Sequence, residues 1–418
     1  MSSLAITQPP PLNVVAVNDE AAQANAPAIA PARLSALDAY RGFVMLLMMA
    51  EVLRLSRVAE ALPASRFWGF LASQQAHVSW VGCSLHDLIQ PSFSLLVGAA
   101  LPFSLASRQA QGQSKDQMIR HAFTRALILI LLGIFLRSVK HPITYFTFED
   151  TLTQIGLGYG FLFLLGWQSV RVQWLALGAI LLGYWLAFAL HPLPGADFDW
   201  TAVGVKPDWP HLLTGFAAHW NKNANFAAAF DQWFLNLFPR EEPFVFNKGG
   251  YLTLSFIPTL GTMILGLLAG GILRSERNQQ QKVKWFVVAG ITGIVAGLLL
   301  DWAGLCPVVK RIWTPSWVLF SGGWCFLFLA AFYAALDWKG YKRAAFPLLV
   351  IGMNSIAAYC LAELTADFTS AALKRHFGPG VFQVFGGAYE TLLLGAAVLL
   401  IWWLILRWMQ RNRIFIRI

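Results

Sequence analysis

His77 is the residue in this sequence best placed for chemistry. It sits near the start of the stretch 76–102, AHVSWVGCSLHDLIQPSFSLLVGAALP, in which Trp80, His86 and Asp87 lead into an apolar run. An imidazole takes up and returns a proton near neutral pH. Ionisable groups at the mouth of a membrane helix are costly to dehydrate, so a functional reading comes first for any that occur there. A hydrogen-bonded structural histidine is the competing reading, because no Ser/His/Asp order accompanies it. His86 and Asp87 are adjacent and would point about 100° apart on a helix. Asp87 therefore either orients His77 or caps a helix beginning near Ser84, where the Ser84-to-Asp87 spacing resembles a capping box with the shorter acid.

Other polar residues interrupt the apolar runs. Asp38 and Arg41, in LSALDAYRGF, are three apart and can pair on one helix face. They read either as a cap and a snorkelling anchor or as a cytoplasmic gate beside a phosphate-bearing ligand. Glu51 and Arg54 repeat that spacing deeper in the same run, and a carboxylate there needs a partner, Arg54 being the nearest. Polar groups also enter SFIPTLGTMILGLLA (255–269), KRIWTPSW (310–317) and GMNSIAAY (352–359). Gly, Ser and Thr there permit close helix packing. Pro258 and Pro315 imply broken or kinked helices of the kind that surround cavities. The Asn354 amide must find a partner or line a cavity. Cys83, Cys306, Cys325 and Cys360 show neither paired nor metal-like spacing, so no metal site is expected.

The elements that must position these groups are membrane helices. Of 418 residues, 57% are hydrophobic and 12% charged, whereas a soluble domain has about 45–50% apolar and about 25% charged residues. The net charge of +10 comes from short basic clusters between apolar runs, which encode membrane topology rather than nucleic-acid binding. Apolar runs fall near 42–57, 85–106, 121–138, 152–168, 172–190, 251–273, 284–302, 317–336, 345–363 and 388–406. The expected fold is an all-α polytopic membrane protein of ten or eleven spans around a central cavity. A short helix at 67–73 is expected at the interface. The Lys and Arg distribution puts both termini in the cytoplasm and His77 toward the outer compartment. Residues 1–32, rich in Ala, Pro, Asn and Gln, read as a disordered tail, and 33–418 as the membrane domain. Within it, 191–250 forms an extracytoplasmic loop or cap. Its Trp200, Trp209, Trp220 and Trp233 serve as interface anchors or, alternatively, as faces for stacking sugars.

Taken together, RLSALDAYRG (33–42), HVSWVGCSLHDLIQPSFSLLVG (77–98), LTQIGLGY (152–159), PTLGTMILGLLAG (258–270), KRIWTPSWVLFSGG (310–323) and GMNSIAAY (352–359) follow in the order of a known family. The chain resembles the transmembrane acetyltransferases typified by heparan-α-glucosaminide N-acetyltransferase, over nearly all of its membrane part. That resemblance implies transfer of an acetyl group from cytoplasmic acetyl-CoA to an amino sugar or glycan on the far side of a membrane, here a bacterial inner membrane, and a homodimer. The family's catalytic histidine opens a block H-x-x-W-x-G-x-x-x-x-D-L, matched by His77, Trp80, Gly82, Asp87 and Leu88. By resemblance His77 is the catalytic group and Asp87 supports it. Trp80, Asn354 and Glu51 are then expected at the acceptor site, and Asp38, Arg41, Arg108, Arg125 and Arg274 at the coenzyme A phosphates. The family's asparagine near the outer end of the first span has no counterpart, since Glu51 and Val52 occupy that region. A secondary transporter exporting a sugar or lipid intermediate is the alternative, weakened by the lack of an internal repeat.

Overall fold

A computed structural model describes residues 34–416; the tail expected over 1–32 lies outside them. Among the described residues the ordered elements are helical, and the β structure is a single isolated bridge between Val81 and Val309. The chain runs through α1 (Ser35–Met49), α2 (Leu55–Ala61), α3 (Arg66–Gln75), α4 (Ile89–Ala110), α5 (Lys115–Ser138), α6 (Thr151–Leu165) and α7 (Val170–Ala189). It continues through α8 (Phe226–Phe234), α9 (Phe256–Arg274), α10 (Gln279–Trp302), α11 (Pro315–Tyr333), α12 (Phe346–Met353), α13 (Ser355–Phe377) and α14 (Glu390–Arg411).

Among the described residues, seven helices are long and apolar enough to cross a membrane, and an eighth span results if α12 and α13 count as one. That pair bends by 81° at Asn354. The expectation of ten or eleven spans exceeds this number. It counted α1 and α6, each of 15 residues, whose length of about 22 Å falls short of a ~30 Å hydrocarbon core. The first run also ends early: α1 tightens into a 3-10 turn at Ala50–Leu53, and Arg54 turns the chain with φ of 49°. The short helix expected at 67–73 is present as α3, which exposes Phe67 and Phe70.

Helix α9 is the axis of the bundle and packs on α4, α6 and α7. Its approach to α4 is set by glycine: a Cβ on Gly98 would overlap the Met263 carbonyl, and one on Gly266 the Leu95 carbonyl. The two backbones meet as small-residue membrane contacts do. Gly42 and Gly352 bring α1 and α12 together in the same way. Large apolar side chains on the outer helices, such as Leu175, Leu182, Val288 and Leu299, face outward, as a lipid-facing surface requires.

The loop 191–250 covers one end of the bundle. Trp220 is fully buried against Tyr184, Phe188 and Trp80, and its carbonyl accepts the Trp80 indole N–H at 3.1 Å. Asp231 of α8 accepts the Thr253 amide at 2.9 Å, joining the loop to the start of α9. Of the loop tryptophans expected as anchors or sugar platforms, Trp220 is a core pin, while Trp233 is exposed.

Candidate active site

His77 lies in irregular backbone between α3 and a short 3-10 turn, His86–Leu88, that leads into α4. Its Nδ1 is 2.8 Å from Asp87 Oδ1. Lys310 Nζ stands 3.2 Å from that same oxygen and 3.1 Å from Nδ1. Nδ1 can carry only one of two roles. Two acceptors 2.8 Å apart with no proton between them would repel, so Nδ1 carries the proton and donates it to Asp87, while Lys310 pairs with the carboxylate. Nε2 is then left as the basic nitrogen. The ring is about two-fifths exposed and lines a cavity, whereas Asp87 and Lys310 are buried beneath it. Burial holds the His77 pKa below its ordinary value; the bond to Asp87 opposes that and the charge of Lys310 reinforces it. The imidazole is neutral at pH 7 and available as a base.

Asp87 is held on its other oxygen as well. Oδ2 accepts from Ser84 N at 3.0 Å, Ser84 Oγ at 3.0 Å and Val78 N at 3.2 Å, and Ser84 Oγ accepts from Asp87 N at 3.3 Å. The expected choice between orienting His77 and capping near Ser84 resolves as both: one carboxylate oxygen meets the imidazole and the other closes a reciprocal turn with Ser84.

The chamber at the His77 end, termed outer, has a volume of about 400 Å³ and is walled by His77, His86, Glu51, Lys310, Tyr251, Arg137, Glu149, Glu363 and others. Glu51 reaches His86 Nε2 at 3.0 Å, so its partner is His86 and not the expected Arg54. The 3-10 turn after α1 aims Glu51 across at the start of α4. Burial raises the pKa of Glu149.

A second, inner chamber of about 470 Å³ shares Phe93, Thr151 and Tyr359 with the first, so the two abut. Its other wall residues include Arg41, Arg108, His121 and Arg125. The two sets lie at opposite ends of common helices. Glu51 follows the end of α1 and Arg41 is in its second turn; His86 precedes α4 and Arg108 is in its last turn. The 22 residues of α4 amount to about 33 Å, close to a bilayer core. Arg125 donates to Tyr159 Oη at 3.1 Å and lies over that ring, but its Nε is buried without a partner among the described residues. A buried cationic N–H lacking an acceptor is costly and fits an anion such as phosphate. Arg108 bonds Gln113, and Arg41 pairs with Asp38 at 3.3 Å.

Three residues expected at the site lie elsewhere. Trp80 is buried under the loop 191–250, where Gly250 sits against its ring. Asn354 is buried at the break between α12 and α13, and its amide clamps the C-terminal segment through Ile414 O at 3.0 Å and Ile416 N at 3.2 Å. Arg274 is bonded to the Pro102 carbonyl, outside the inner chamber. Conversely, sequence reasoning passed over Lys310, Tyr251 and His121. Lys310 stood inside the quoted segment KRIWTPSW, but attention went to Pro315 and helix breaking. A lysine next to the apolar run CPVV was the available signal.

No family model matches the chain. It is 23% identical over 377 residues to the human protein named heparan-alpha-glucosaminide N-acetyltransferase, covering 81% of this chain and 54% of that one. Identity to the mouse protein of the same name is also 23%, over 375 residues and 80% of this chain. The chain thus spans about half the length of the curated relatives it matches. Over about four fifths of its length, all of it in a helical bundle with membrane-length apolar helices, this chain is thus distantly similar to heparan-alpha-glucosaminide N-acetyltransferases.

Proposed function

We propose that the chain passes an acetyl group from a coenzyme A thioester in the inner chamber to an acceptor in the outer chamber, an amino sugar or glycan, with His77 as general base. One observation carries this reading: two abutting chambers of unlike character, one holding a neutral imidazole and the other a group of arginines with an unsatisfied N–H. Arg41, Arg108, His121 and Arg125 hold the phosphates, and the thin pantetheine arm extends past Phe93 and Tyr359. His77 Nε2 removes a proton from the acceptor amine or hydroxyl. The freed nucleophile forms a bond to the thioester carbon, the C–S bond breaks, and the proton returns from His77 to the departing sulfur. Asp87 keeps the proton on Nδ1 and stabilises the imidazolium while it lasts. The basic inner face corresponds to the cytoplasm of a bacterial inner membrane, with both termini on that side.

Stacked chambers also suit a transporter of a sugar or lipid intermediate, and one experiment separates the two. Purified protein in detergent is given acetyl-CoA and a panel of amino sugars, and free thiol is followed. The enzyme releases thiol in proportion to acetylated sugar. No thiol release with any acceptor, together with sugar uptake into sealed vesicles, would remove the acyltransferase reading.

A further inference from the structure

Among the described residues, Lys310 is the one buried ammonium beside the imidazole, and neither the resemblance nor the relatives account for it. Resting on the reading of His77 as a base, we propose that Lys310 is a positioning residue that balances the charge of Asp87, so that His77 stands as a neutral base instead of being trapped as imidazolium.

The geometry makes the case. A buried carboxylate 2.8 Å from an imidazole nitrogen favours the protonated ring. Such a pair, left uncompensated, works against burial and shifts the ring toward the cation, which has no lone pair for an incoming proton. Lys310 Nζ, 3.2 Å from the same oxygen, cancels that negative charge and places its own positive charge 3.1 Å from Nδ1. Both effects favour the neutral ring. Lys310 itself is fixed by neighbours: Arg311 donates to the Val78 and Gly249 carbonyls, and Val309 pairs with Val81 across the isolated bridge. The carboxylate does not depend on Lys310 for its place, because Ser84 and Val78 hold Oδ2. Removing Lys310 therefore changes charge more than position.

The other groups facing His77 do not supply that charge. His86 lies 4.6 Å away ring to ring but is engaged by Glu51. Tyr251 stands edge-on to the His77 ring with ring centroids 6.4 Å apart, and Arg311 lies over the Tyr251 ring. Arg137 faces the chamber together with Glu149, Asp150 and Glu363, which outnumber it. Cys83, near Asp87 and Lys310, is a thiol pushed up to about 12 by burial and so is neutral.

The test compares pH profiles of kcat/KM for thiol release in wild type, Lys310→Met and Lys310→Arg. Lys310→Met moves the acidic limb upward by about 1–3 pH units and recovers rate as the pH rises, while Lys310→Arg stays near the wild-type limb. A Lys310→Met loss of equal proportion at every pH, or an unmoved limb, overturns the proposal. A second readout needs neither turnover nor a folded variant. Carbethoxylation of His77 in wild-type protein, resolved by peptide mass spectrometry, follows the neutral ring and has its midpoint below the ordinary histidine value of about 6.5. A midpoint above that value overturns the proposal, whatever becomes of the acyltransferase reading. That reading instead fails on absent thiol release.

Discussion

Asp87 and Lys310 form a buried pair, with side-chain exposure of 1% and 5%, so separating them has a cost that the structure lets one estimate. Asp87→Asn strands an ammonium in a dry site. Breaking a buried pair by removing one partner costs about 3–5 kcal/mol, because the remaining charge is uncompensated. Lys310→Met strands the carboxylate instead. Asp87 keeps four other donors, namely His77 Nδ1, Val78 N, Ser84 N and Ser84 Oγ, so that loss falls at the lower end of the range. In the double variant neither charge is left alone, and much of the loss returns. The expected coupling is therefore roughly 2–3 kcal/mol of opposite sign to the single losses. Thermal unfolding of the detergent-solubilised protein, followed by tryptophan fluorescence, gives the four transition temperatures. The double variant should melt above Asp87→Asn. If the two single losses simply add, to within about 0.5 kcal/mol, the pair is not coupled and the account of His77's tautomer fails with it.

Further outcomes follow from other sites. Replacing Arg108 and Arg125 together with Ala should raise KM for acetyl-CoA by about tenfold or more, equal to about 1.4 kcal/mol of lost binding, while kcat with saturating donor changes little; steady-state kinetics of thiol release checks this. Asp231, in the loop helix α8, has its pKa raised to about 7 by burial. A raised folded value means that its stabilising contribution is complete below the ordinary value of 3.8 and is lost as pH rises from there through about 7. Asp231→Asn should accordingly melt like wild type near pH 3.5 and above it at pH 8. Asn354→Ala removes two hydrogen bonds from a buried position and should lower stability by about 1–3 kcal/mol, with KM for the acceptor unchanged in the same thiol assay.

What the sequence disclosed about the bundle was its apolar runs, because lipid imposes composition on each span separately. All ten runs lie on helices. The count of spans was not disclosed. Whether 15 residues cross, as α1 and α6 pose the question, depends on tilt and on neighbours that no local pattern carries. Asn354 illustrates the same limit from the other side. Its amide was rightly read as needing a partner, yet the partner is backbone 60 residues later in the chain. At the site, His77 and Asp87 were legible because they stand ten residues apart within one motif. Lys310 was not, since 233 residues separate it from His77 and only folding brings KRIWTPSW against HVSW. Glu51 was assigned to Arg54 on helical spacing, and the helix ended before that spacing applied.

The central claim is that an acetyl group crosses between compartments through the two chambers and past His77. Proteoliposomes oriented with the basic face inward, loaded with radiolabelled acetyl-CoA and given amino sugar outside, test it directly. The account predicts label on the external sugar while the vesicles remain sealed to coenzyme A, and none with His77→Ala. Acetylation only when donor and acceptor share one side, or undiminished transfer by His77→Ala, would contradict it.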